Sequence, residues 1–185
     1  MENSMSISRQ QFEKFVVNPT VSSLMLPRPA DAAHQLMTIV ANESRGGYWL
    51  HKAKGTGIGP WGMEPTTFTR ILQRLRAGGK GSQVAVERLK DRTADQMTHD
   101  FALACEMARW NLWFDPLELP AISDRKGQYD CYIRVWRPIR KPTERAYCLA
   151  YDHWGIADGD IEKRDFEALA KEEIEKKANG AAKVA

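Results

Sequence analysis

The feature that most constrains this chain is a twenty-residue stretch, from about Asp95 to Phe114, that is apolar on two sides. One stripe at helical spacing is Met97, Phe101, Cys105, Ala108 and Leu112, and another is Leu103, Met107, Trp110 and Phe114. A helix apolar on both sides has to run through the middle of a domain, with other helices packed around it. Pro116 and Pro120 end it.

The surrounding sequence supplies such helices. From about Ala30 to Glu43 the apolar face is Ala33, Leu36, Met37 and Val40. Pro65, after Met63-Glu64, fits the first turn of a second helix, with Phe68, Ile71, Leu72 and Leu75 as its stripe and Gly78-Gly79 at its end. Tyr129, Tyr132, Ile133 and Trp136 repeat at helical spacing, as do Tyr147, Ala150, Tyr151 and Trp154. Between the first two helices lies a glycine-rich loop holding Gly46, Gly47, Gly55, Gly57, Gly59 and Gly62. No segment sustains period-two alternation, so the expected class is mainly α with little or no sheet. The 185 residues suit one domain with a real core.

Residues 1–29 read as an arm. Phe12, Phe15, Val16 and Val17 can dock, but Asn18-Pro19 and Pro27-Arg28-Pro29 are expected to break any regular element. The domain proper is then expected over 30–159. A charged amphipathic helix on Phe166, Leu169, Ala170 and Ile174, with an Ala/Gly/Lys tail, is expected over 160–185. Both ends are expected to serve contacts with other chains, so that removing residues 1–28 leaves a folded monomer.

Three cysteines, Cys105, Cys131 and Cys148, fall in apolar-periodic stretches and read as buried free thiols. His34, His51, His99 and His153 lack metal-ligand spacing, so no metal and no cofactor is expected. No run is long and apolar enough to span a bilayer, and Met1 to Gln11 holds no hydrophobic signal core. A protein acting on the cell wall would then need delivery inside a virus particle or through a membrane pore. The net charge of +3 is uneven: residues 70–92 hold seven bases against two acids. That excess suits an anionic polymer, either cell wall or, more weakly, nucleic acid; it equally fits a solvated helix face.

The chemistry concentrates in Glu43-Ser44 and in Gly55-Thr56-Gly57-Ile58-Gly59-Pro60-Trp61-Gly62-Met63-Glu64-Pro65-Thr66-Thr67. Glu43 lies three residues after Val40 and seven after Leu36, on or beside the buried face at the helix end. A glutamate there opposes the helix dipole, which disfavours it without a purpose. A carboxyl against apolar surface keeps its proton to higher pH, because desolvation disfavours the charge. Glycosidic cleavage needs such a proton donor at the leaving oxygen.

This stretch resembles the catalytic core of soluble lytic transglycosylases and goose-type lysozymes. Those end a helix in Glu-Ser and, after a loop, continue with Gly-Leu-Met-Gln-x-x-Pro-x-Thr. The likeness is closest to small phage proteins whose signature reads Gly-x-x-x-Gly-x-x-Gln-Met-Glu-Pro-x-Thr. It spans about residues 36–72 well and the rest only by helix pattern. The resemblance implies a lysozyme-like helical domain with Glu43 as the catalytic residue. One glutamate serves as acid and then base, the sugar's own hydroxyl closes an anhydro ring, and no second carboxylate is needed.

The resemblance also implies substrate contacts from Ser44, Gly59, Trp61, Gly62, Met63 and Glu64. Three of these have a plainer reading as well. Ser44 can bond local backbone, Trp61 can be a sugar platform or core, and Glu64 before Pro65 suits a helix N-terminus electrostatically. The chain departs from the family at Gly62, where a glutamine normally lines the sugar groove. The family's late tyrosine, which positions the glutamate, has two candidates. One is Tyr151, in Ala150-Tyr151-Asp152. The other is Tyr132, in Tyr132-Ile133-Arg134-Val135-Trp136, placed like a Tyr-Trp-Lys-Arg segment of the phage proteins. Both also fit helical core stripes.

The function expected is cleavage of the peptidoglycan glycan strand by a phage virion-associated lytic transglycosylase or muramidase during genome entry. The alternative is a structural virion or tail protein that keeps the fold without catalysis.

Overall fold

A computed structural model describes residues 7–47, 50, 56–78 and 80–154. The helix expected over 160–185 lies outside the described residues, as do His51 and Gly55. Among the described residues the protein is all-α, with no strand and a single isolated antiparallel bridge between Ile58 and Met63. In order, the elements are α1 (Arg9–Phe12), a π turn (Glu13–Val17), α2 (Asn18–Ser23), α3 (Pro29–Ser44), α4 (Pro65–Ala77) and α5 (Lys80–Leu89). A short 3-10 turn (Ala94–Thr98), α6 (Phe101–Trp113), α7 (Arg125–Trp136) and α8 (Glu144–Leu149) follow.

Helix α6 is the central rod. Cys105, Met107 and Ala108 are fully buried, and Leu103, Ala104, Trp110 and Leu112 nearly so. It packs on α2, α3, α4 and the π turn. It is shorter than its periodicity predicts. The Asp100 side chain accepts from the backbone N–H of Leu103 at 2.9 Å and starts the helix there, so Met97 belongs to the preceding 3-10 turn.

The expectation of an irregular arm before Pro29 is corrected. Residues 9–23 are helical, and Phe12, Val17 and Val21 lie in the core at no more than 1% exposure. Phe12 packs its ring against Trp61, Phe101 and Trp154. Proline within a helix removes a donor and crowds the carbonyl four residues back. Here the turn ahead of Pro19 widens, and the Asn18 N–H donates to the Glu13 carbonyl five residues back. That π turn accommodates the ring without ending the helix. The real break comes at residues 24–28, where Met25 and Arg28 take positive φ.

Candidate active site

Helix α3 is buried along most of its length, with Leu36, Met37, Ile39 and Val40 at 0% exposure. It ends in a left-handed residue, Arg45 (φ 51°), and the Gly46 N–H donates back to the Val40 carbonyl at 3.2 Å. The Arg45 N–H turns back to the same carbonyl, so the chain closes tightly on itself as the helix ends. Ser44 completes this stop: its hydroxyl donates to the Val40 carbonyl at 3.1 Å and accepts from the Gly47 N–H at 2.9 Å. Ser44 is therefore buried and bonded to local backbone, the plainer of its two readings.

Glu43, one residue earlier, is half-buried on the floor of a groove of about 580 Å³. One wall is α4, through Thr66, Thr67, Arg70 and Arg74. The other is the end of α7 and the residues after it, through Arg134, Trp136, Arg137 and Ile139. Gly57, Gly62, Met63 and Glu64 also line it.

The segment 58–63 is a tight hairpin-like turn. Ile58 and Met63 exchange both backbone hydrogen bonds at 3.0 Å, and the Gly62 N–H donates to the Gly59 carbonyl at 3.0 Å with Pro60 in the second turn position. Gly62 has φ 55°, the left-handed region where side chains are strained. A glutamine side chain at this position would be strained by that backbone. Gly59 is buried against Met97 and does not line the groove. Met63 is core on one side and groove on the other. Glu64 is exposed at the rim and precedes α4, with its carbonyl accepting from the Thr67 N–H.

The two tyrosine candidates part company. The Tyr132 hydroxyl donates to Glu43 Oε1 at 2.8 Å. Its ring stacks on Tyr147 at 4.6 Å and 19°, and the Tyr147 hydroxyl accepts from Gln35 Nε2 at 2.9 Å. Burial, first of all, pushes the Tyr147 phenol well above its ordinary range, so this support stays neutral. Tyr151 instead donates to Glu13 at 3.2 Å, and neither residue lines the groove.

Trp61 is core. It is 1% exposed, its indole N–H donates to the Leu36 carbonyl at 3.0 Å, and it does not line the groove. The tryptophan that does line it is Trp136, whose N–H donates to the Trp61 carbonyl at 2.9 Å. Its helical spacing reads as a core stripe, which hid it. A further pair also gave no signal in sequence: Asp115, its side chain 4% exposed, is held by Arg134 Nε at 3.0 Å to each carboxylate oxygen. That bond raises the Arg134 guanidinium further above its already high range.

The cysteines do not supply a nucleophile. Burial pushes the Cys131 thiol up to about 12 and Cys105 higher still, while Cys148 is only half-buried. No group of His, Cys, Asp or Glu among the described residues is arranged to hold a metal. No helix among them is long and apolar enough to cross a membrane. Three of the seven bases in the stretch 70–92 form ion pairs: Arg88 with Glu106, Lys90 with Glu87 and Arg92 with Asp100. Arg70 and Arg74 of that stretch line the groove. Comparison with known proteins finds no matching family model, no matching curated protein and no matching solved structure.

Proposed function

We propose that this protein cleaves the glycan strand of peptidoglycan, as a lytic transglycosylase or muramidase with a lysozyme-like helical fold, and that Glu43 is its catalytic residue. The observation that carries the reading is the Tyr132–Glu43 hydrogen bond of 2.8 Å at the floor of an open groove. The resemblance implies a tyrosine that positions the glutamate, and this contact fits that role. Cleavage requires the Glu43 carboxyl to give its proton to the glycosidic oxygen as the bond breaks. The carboxylate then takes a proton back, either from the sugar's own hydroxyl as it closes an anhydro ring or from water. Tyr132, locked by its stack on Tyr147, fixes the carboxyl's orientation throughout. Trp136 offers a ring face to a sugar.

In this proposal the protein rides in a phage particle and acts on the host cell wall during genome entry. Residues 160–185 and the exposed parts of 1–29, such as Phe15 at 67% exposure, contact other virion or tail proteins. One observation favours the alternative of a structural virion protein without catalysis: Gly62 gives the groove only backbone groups. A zymogram on purified cell wall tests both. Clearing by the wild type and none by Glu43→Gln supports the enzyme. Equal background from the two supports the scaffold.

A further inference from the structure

The groove is unusually rich in arginine for a site that would hold uncharged sugars. Arg70 and Arg74 stand four residues apart, so both project from one face of α4 into the groove. Arg137 lines the opposite wall. Arg134, which also lines the groove, is already neutralised by Asp115. None of Arg70, Arg74 and Arg137 forms an ion pair among the described residues. Two of the three are preset in orientation. Arg74 donates to the Phe114 carbonyl at 2.9 Å and lies over the Phe114 ring at 5.3 Å, and Arg70 reaches the Thr67 hydroxyl at 3.4 Å. Each keeps further N–H groups for a ligand, because a guanidinium carries five. A fork of fixed donors matches a planar carboxylate.

We infer that the groove contains a carboxylate subsite, formed by Arg70 and Arg74 with Arg137 opposite, which selects acidic glycan strands over neutral ones. The inference rests on the peptidoglycan reading and adds to it what the protein discriminates. Peptidoglycan carries carboxylates on alternate sugars, either as the lactyl group or on the acidic peptide attached there. A polymer of N-acetylglucosamine has the same backbone linkage and none of them. Nucleic acid is the lesser fit. Its binding calls for a continuous cationic track along the phosphates. Here the remaining bases of the segment are mostly paired, and the groove holds the acids Glu43 and Glu64.

The test measures binding by titration calorimetry on the Glu43→Gln protein, so that no strand is cut. The ligands are an N-acetylglucosamine tetramer, peptidoglycan strands freed of peptide, soluble peptide-bearing strands and a single-stranded oligonucleotide. At low salt at least one acidic strand is expected to bind roughly tenfold or more tightly than the neutral tetramer, and added salt is expected to shrink the difference. Arg70→Gln combined with Arg137→Gln should collapse that preference, while Arg70→Lys keeps part of it. Thermal melts confirm that each variant is folded. Preference for peptide-free strands identifies the lactyl carboxylate, and preference confined to peptide-bearing strands identifies the peptide; either supports the subsite. Equal affinity for neutral and acidic strands, or a preference that survives the arginine substitutions, overturns the subsite and leaves the sugar groove standing. No binding of any glycan overturns the peptidoglycan reading together with it. An oligonucleotide that outbinds every glycan, with the same arginine dependence, replaces both with a phosphate-binding function.

Discussion

Helix α3 carries a tyrosine–glutamate pair on either flank, and the two pairs have different surroundings. On one flank Tyr132 donates to Glu43 at 2.8 Å; on the other Tyr151 donates to Glu13 at 3.2 Å. The first glutamate faces a groove of about 580 Å³. The second does not line that groove. The Arg9 guanidinium sits on the Tyr151 ring at 4.6 Å, and the His34 ring packs against it at 4.8 Å. Burial lowers the His34 pKa, with Glu13, Asp152 and Asp31 opposing the shift. The contact alone therefore does not make a site. What distinguishes Glu43 is space for a ligand beside the carboxyl, whereas the Glu13 pair fastens the N-terminal helix to the segment after α8.

The largest expected difference between the flanks is in catalysis. Glu43→Gln should reduce glycan cleavage by roughly 10²–10⁴-fold, the usual cost of losing a general acid, while Glu13→Gln leaves the rate near wild type. A loss of rate at Glu13 equal to that at Glu43 would erase the distinction. In stability the ranking reverses, since Phe12, next to Glu13 in the chain, is buried in the core. Phe12→Ala should cost about 3–5 kcal/mol in urea unfolding, and Phe15→Ala, two-thirds exposed, within about 0.5. By the same reasoning, removing residues 1–28 should unfold the domain, contrary to the expectation from sequence. Recovery of a cooperatively folded truncated protein would show that α1 and α2 merely lie on the surface.

A smaller effect separates the tyrosines. Tyr132→Phe keeps the stack on Tyr147 and loses one hydrogen bond, about 0.5–1.5 kcal/mol, or up to roughly tenfold in kcat with KM little changed. Tyr151→Phe should leave kcat alone. The smallest effect is expected at Gly62. With φ 55° there, Gly62→Gln should destabilise by about 1 kcal/mol without raising activity, and Gly62→Asn should be better tolerated because asparagine visits that region more readily. A fully stable, more active glutamine variant would mean that the turn relaxes around the new side chain.

What could be read in the sequence was what local rules determine. The α3 face, the Glu43 position and the start of α4 at Pro65 follow from helical period and from proline's fit to a first turn, and all three stand. Asn18-Pro19 misled for the same reason: the local rule says break, while the buried Phe12, Val17 and Val21 favour a continuous helix with one widened turn. The two tryptophans carry no local signal that tells core from groove. Trp61 and Trp136 differ only in what folds over them, and that is decided by residues dozens of positions away. The Asp115–Arg134 pair and the Tyr132–Glu43 contact are likewise tertiary. The choice between Tyr132 and Tyr151 needed the packing of α7 and α8 against α3.

The stop after Glu43 ties two distant points of the chain together. At Gly46 a Cβ would fall 2.2 Å from the Trp154 indole nitrogen, and that indole donates to the Ile7 carbonyl at 2.7 Å. Ile7 and Trp154 therefore meet against the stop that ends the glutamate-bearing helix. The joint works as a clasp: a side chain added at Gly46 would have to displace the indole and, with it, the hold on Ile7.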